Sequence, residues 1–129
     1  MDDSNSFAVA DKEIVGPWIS GFTAVKSVLF HVKFDYGAGG AACDVHLQTS
    51  VDNGATATGI SAFRFGKASG SRFANLSSGT PRQPFAPREK LNPDEAEDGV
   101  IGDMLRVVIC PTGKFENSSI TAGIVTRTS

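Results

Sequence analysis

Two histidines are the residues of this sequence most suited to binding a metal ion. His31 and His46 each alternate with apolar residues on predicted strands, so both are expected on outward faces, and Asp44 shares the face of His46. Two imidazoles and one carboxylate are the smallest set that such a site needs. The alternative is a pair of histidines at the surface or at an interface. We predict no metal and no other cofactor.

Catalytic chemistry has little basis in the sequence. The Gly-x-Ser-x-Gly elbow of a serine nucleophile does not occur. Asp and Glu total 14, and four of them cluster at 94–98, a run typical of a solvated acidic loop. The glycines at 37–40 lack the Lys-Ser/Thr ending of a phosphate loop. We therefore predict a protein that binds through its surface and is not an enzyme.

A basic, proline-rich segment followed by an acidic run is the main candidate for contact with a partner. Complementary charges of this kind give specificity and association rate, and a buried aromatic side chain can anchor the contact. The residues predicted to contact a partner are Arg72, Arg82, Phe85, Arg88, Lys90, Asp94 and Glu95. The alternative is a surface loop whose charges face water. If the loop clasps a neighbouring subunit, we expect proteases to cut it in the free protein and not in the assembly.

The segment Ser-Val-Asp-Asn-Gly-Ala-Thr-Ala at 50–57 resembles the Asp box, Ser-x-Asp-x-Gly-x-Thr-Trp, with Ala57 in place of the aromatic residue. Its turn residues are Ser50, Asp52, Asn53 and Gly54. The resemblance implies a hairpin in which the acid caps turn amides and the glycine is left-handed. In sialidases the motif lies away from the catalytic centre, so it implies a hairpin and no sialidase activity.

Period-two alternation of apolar and polar residues indicates the strands that must position these groups. It occurs at 28–34, 43–49, 60–65, 103–110 and 119–126, with a further short strand at 72–76 and edge strands within 6–19. We predict one all-β domain over 1–129, a β-sandwich or jelly roll of about seven or eight antiparallel strands. A flexible tail is expected over 1–5, and a long irregular loop over 77–99, where four prolines occur.

Composition supports a folded domain and gives no sign of a nucleic-acid or membrane protein. Hydrophobic residues make up 40% of the chain, and the net charge is −2. The sequence has neither a long apolar run nor the basic-then-apolar order of a signal peptide. Cys43 and Cys110 are expected to be buried thiols or, alternatively, one disulfide between strands. Trp18 is expected in the core or as an exposed anchor.

The order of segments 45–54, 60–65 and 101–107, followed by a final hairpin, resembles small β-sandwich virion proteins of tailed bacteriophages. The resemblance implies a capsid decoration (cement) protein or a tail or head-to-tail component, located in the virion and assembled in the host cytoplasm. Its partners would be the major capsid protein or other virion proteins, with a trimer expected for decoration and a ring for the tail. An alternative of another class is a carbohydrate-binding β-sandwich module. That module needs an exposed aromatic platform, and only Trp18, Tyr36 and the Phe residues are available for one. Most of the Phe residues alternate into the predicted core, which argues against this alternative.

Overall fold

Alternating apolar and polar residues produce strands with one buried face, and the computed structural model is built from such strands. It describes residues 2–22, 25–77, 88–96 and 101–127, and no helix occurs within these ranges. The strands are β1 (Asp2–Val9), β2 (Ile14–Val15), β3 (Ile19–Ser20), β4 (Ser27–Asp35), β5 (Ala38–Gly39), β6 (Ala42–Ser50), β7 (Thr58–Phe65), β8 (Gly70–Ser77), β9 (Met104–Thr112), β10 (Phe115–Glu116) and β11 (Ser118–Arg127). The predicted all-β class is confirmed.

The strands form two packed antiparallel sheets. The front sheet has the order β1-β11-β4-β8. In the back sheet, β2 and β3 pair with β9, which is followed by β6 and then β7. The short strands β5 and β10 pair with each other as a separate ribbon. This arrangement is a β-sandwich, as the sequence predicts.

The core lies between the inner faces of the two sheets. Phe30 of the front sheet stacks on Phe63 of the back sheet at a centroid distance of 5.5 Å. Phe34 packs between Phe65 and Phe115, at 5.4 and 5.8 Å. Phenylalanine therefore supplies most of the aromatic packing, and the burial of these rings stabilises the contact between the sheets.

Seven of the strands in the described ranges are eight to ten residues long. Five of them cover, to within one residue at the start of β9, the alternating segments found in the sequence, and β8 contains the short strand predicted at 72–76. β1 is the strand that alternation does not reveal. Its backbone pairs with β11 from Asp2 opposite Val125 to Val9 opposite Ser118. The strand therefore begins inside the stretch for which the sequence predicts a flexible tail.

The two cysteines lie on neighbouring strands but on opposite faces of the back sheet. Cys110 pairs with Asp44, so Cys43 is one residue away from the position opposite Cys110. Because successive side chains of a strand point to opposite faces, the two thiols point apart, and both cysteines are free. Burial raises the pKa of the Cys43 thiol to about 12. In the described part of the chain, no helix has the length and apolar character that crossing a membrane requires.

Candidate interaction surfaces

Residues 88–96, here called the strap, lie across the outer side of the back sheet. The amide of Gly59 donates to the Arg88 carbonyl at 2.6 Å, and the amide of Ala62 donates to the Glu95 carbonyl at 3.0 Å. Leu91 is buried, with 4% of its surface exposed. The strap thus satisfies two outward amides of β7, a strand that would otherwise be an open sheet edge.

Charged residues predicted to clasp a partner form ion pairs within this one chain. Arg72 reaches Asp94 at 2.9 Å, and Arg88 reaches Glu95 at 3.3 Å. Lys90 pairs instead with Glu13, at 2.7 Å. All six side chains are 39–49% exposed, so each pair contributes little to stability on its own.

Arg82 and Phe85, the other two residues of the predicted clasp, lie outside the described residues. Contact between this segment and a neighbouring subunit stays a prediction. In the structure, the charges of the strap serve to attach it to its own domain. Any clasp that uses Arg72, Lys90 or Asp94 must therefore replace these internal pairs.

The strap also buries polar side chains of β6 that alternation places in solvent. Alternation places His46 on the outward face of β6, but only 4% of the residue is exposed. Burial lowers the pKa of His46, and its Nδ1 has no hydrogen-bond partner among the described atoms. The Gln48 side chain is fully buried and donates from Nε2 to the Glu89 carbonyl at 2.8 Å.

The two histidines do not come together. His31 belongs to β4 of the front sheet, whereas His46 belongs to β6 of the back sheet. No cluster of three or more His, Cys, Asp or Glu side chains suited to a metal is found in the residues that the structure describes. The two-histidine metal site considered from the sequence is therefore not assembled.

His31 has a different environment on the outer face of the front sheet. Its ring lies over Gly123, where an added Cβ would be 2.2 Å from the imidazole Cε1. The same ring packs beside Phe73 at a centroid distance of 6.2 Å. Phe73 is 66% exposed, and the half-buried Leu29 and Val125 face each other across β4 and β11. These residues form an apolar patch on the front sheet, here called the front patch.

The hairpin between β6 and β7 contains a connected set of turn contacts. The Asp52 carboxylate accepts from the Thr56 amide at 2.9 Å and from the Thr56 hydroxyl at 2.6 Å. The Ser50 hydroxyl donates to Asp52 at 2.8 Å and accepts from the Gly54 amide at 2.8 Å. These bonds, those from Thr56 above all, lower the pKa of Asp52 to about 2. Asn53 and Gly54 both have positive φ, at 60° and 89°.

The Trp18 indole lies beside this hairpin. Within the hairpin itself, Ala57 occupies the position at which the Asp-box pattern has an aromatic residue. A Cβ added at Gly54 would lie 3.3 Å from Cδ1 of the indole. Trp18 is half-buried and lies outside the core cluster between the sheets. The Arg106 guanidinium stacks over the ring, with Cζ 4.4 Å from its centroid.

An open cleft of about 300 Å³ lies between Trp18, the hairpin and the strap. Its lining comprises Trp18, Gly54, Ala55, Thr56, Ala57, Glu89 and Arg106. Sequence reasoning did not select Arg106 or Glu89, because the cleft joins segments that are distant in the chain. The local signal that could have drawn attention to it is the hairpin motif without its aromatic residue.

Comparisons with known proteins give no relative for this chain. No protein-family model matches the sequence, and neither a curated protein nor a solved structure matches it. The inferences about function therefore depend on the fold and on the surfaces described above.

Proposed function

We propose that the protein is a non-enzymatic structural protein of a tailed-bacteriophage particle, and specifically a capsid decoration protein. The proposed docking surface is the front patch, and the proposed partner is the major capsid protein. The observation that supports a binding role is the difference between the two outer faces of the sandwich. The strap covers much of the outer back sheet, whereas Phe73 of the front sheet is 66% exposed.

The composition of the front patch is suited to a lasting contact with another protein. Phe73, His31, Leu29 and Val125 offer apolar and aromatic surface on this face. Large exposed aromatic residues are typical anchors of protein interfaces, where they fill a pocket of the partner. Because a capsid shell repeats one protein many times, a single patch can engage every equivalent position.

The mechanism would be adhesive. A protein that binds only the assembled shell stabilises that shell by mass action, and the stabilisation grows with the logarithm of its free concentration relative to its Kd. A trimer would match local threefold positions of the lattice, whereas a ring would fit a tail or head-to-tail component. The tail component is the alternative within the same class.

The docking surface is tested by replacing Phe73 with serine and measuring binding to shells that lack the protein. Full burial of a phenylalanine contributes about 1.5–3 kcal/mol, so F73S should bind about 10- to 150-fold more weakly. Val51→Ser is the matched control, since Val51 is a 70% exposed apolar residue on a different surface, the hairpin. Equal loss of binding in both variants, or no loss in F73S, would contradict docking through the front patch.

A further inference from the structure

We propose that the cleft between Trp18 and the strap binds a neutral polyhydroxylated ring, a monosaccharide or the terminal sugar of a glycan. The site would be independent of the proposed docking surface, because the cleft lies beside the back sheet and the front patch lies on the other sheet. The proposal is carried by two charged side chains, Arg106 and Glu89, that border one cleft without pairing with each other.

Arg106 is held in place by groups on either side of its guanidinium. Its Nε donates to Gln48 Oε1 at 2.7 Å, and Gln48 is in turn fixed by the Glu89 carbonyl. The guanidinium lies over the Trp18 ring. Within the described part of the chain, neither Nη of Arg106 has a hydrogen-bond partner. The side chain is therefore a positioned donor with unused N–H groups, which is what binding without ordering cost requires.

Glu89 supplies the complementary acceptor. Its backbone carbonyl belongs to the strap contacts, while its carboxylate has no hydrogen bond or ion pair with any described residue. An anionic ligand on Arg106 would be repelled by Glu89, and a cation on Glu89 would be repelled by Arg106. Neighbouring hydroxyl groups of a sugar both donate and accept, so a neutral diol satisfies the two side chains together.

The remaining lining is suited to the apolar side of such a ring. Trp18 is half-buried and borders the cleft, so part of the indole stays available for contact with C–H groups. Ala57, at the position where the hairpin motif has its own aromatic residue, leaves that part of the cleft open. Gly54 lets the indole approach the turn, since an added Cβ would be only 3.3 Å from it.

Binding is tested by titrating the intact protein with glucose, galactose, mannose and N-acetylglucosamine. Calorimetry and tryptophan fluorescence monitor each titration. Trp18 is the only tryptophan in the chain, so its fluorescence reports on this cleft alone. We expect at least one sugar to bind with a Kd on the order of 1 mM, the range of a small open site. Binding of none of the four sugars would overturn the proposal.

Two variants and two anions test how the sugar is held. Arg106→Gln and Glu89→Ala should each weaken sugar binding at least tenfold, while Arg64→Gln, an arginine of the back sheet paired with Asp44, should leave it unchanged. Glu89→Ala removes a carboxylate that forms no hydrogen bond or ion pair with a described residue, so it should fold normally even if Arg106→Gln does not. Phosphate and acetate should not bind. Binding of these anions instead of sugars, or unchanged sugar affinity in Glu89→Ala, would overturn the proposal.

Discussion

Leu91 attaches the strap to the back sheet, and its replacement by alanine tests how much the strap contributes to the fold. The side chain is 4% exposed but lies outside the core between the sheets. Truncating a buried leucine costs about 2–5 kcal/mol, and the cost is lower where neighbours can move into the space. Because the strap is a single segment at the surface, we expect L91A to weaken its attachment by about 2–3 kcal/mol.

The strap contacts make this loss measurable at individual amides. The amides of Gly59 and Ala62 donate to strap carbonyls, so they should exchange with solvent about 30- to 140-fold faster in L91A, at one factor of ten for each 1.4 kcal/mol. Amides of β4, which pair within the front sheet, should change much less. Val51→Ala is the control, because an exposed side chain of this kind alters stability by about 0.5 kcal/mol or less.

If Gly59 and Ala62 exchange at the wild-type rate in L91A, the strap does not depend on Leu91 for its attachment. If all amides accelerate equally, the strap and the sandwich unfold as one unit, and the strap is not a separately attached segment.

Two further predictions concern the groups on either side of the back sheet. Burial lowers the pKa of His46 below its ordinary 6.5, so the folded state favours the neutral ring, and the free energy of unfolding should fall as the pH drops through 6.5. Urea unfolding at about pH 7.5 and about pH 5.5 should show a larger loss of this free energy for the wild type than for His46→Gln. Equal losses in the two proteins would contradict the prediction. Cys110 is half-buried and Cys43 fully buried, so a thiol reagent should modify Cys110 first and Cys43 only on unfolding. Peptide mass spectrometry measures the order of modification. The opposite order would contradict the assignment of the two thiols to opposite faces of the back sheet.

Much of the sandwich could be predicted because the information is local. Phe30, Val32 and Phe34 alternate with the polar residues His31 and Lys33, and that period of two defines both the strand and its buried face. The same reasoning places Phe63 and Phe65 inward, and both are 5% exposed. These assignments depend on a few consecutive residues, which is why they hold without knowledge of the partner strands.

Features that depend on contacts between distant segments could not be predicted from the sequence in this way. Alternation places His46 and Gln48 in solvent, yet the strap buries both, because a third layer covers the back sheet. β1 has a polar sequence and is held by backbone pairing with β11, which leaves no trace in side-chain periodicity. Arg106 meets Trp18 only when β3 pairs with β9. Sequence periodicity reports which face is buried by the core and does not report what covers the other face.

The most direct test of the proposed function is the number of copies of this protein in purified particles, relative to the major shell protein, by quantitative mass spectrometry. A capsid decoration protein is expected in a near-stoichiometric ratio to the shell protein. A handful of copies per particle would contradict decoration and favour the tail or the connector. Its complete absence from particles would contradict the virion assignment altogether.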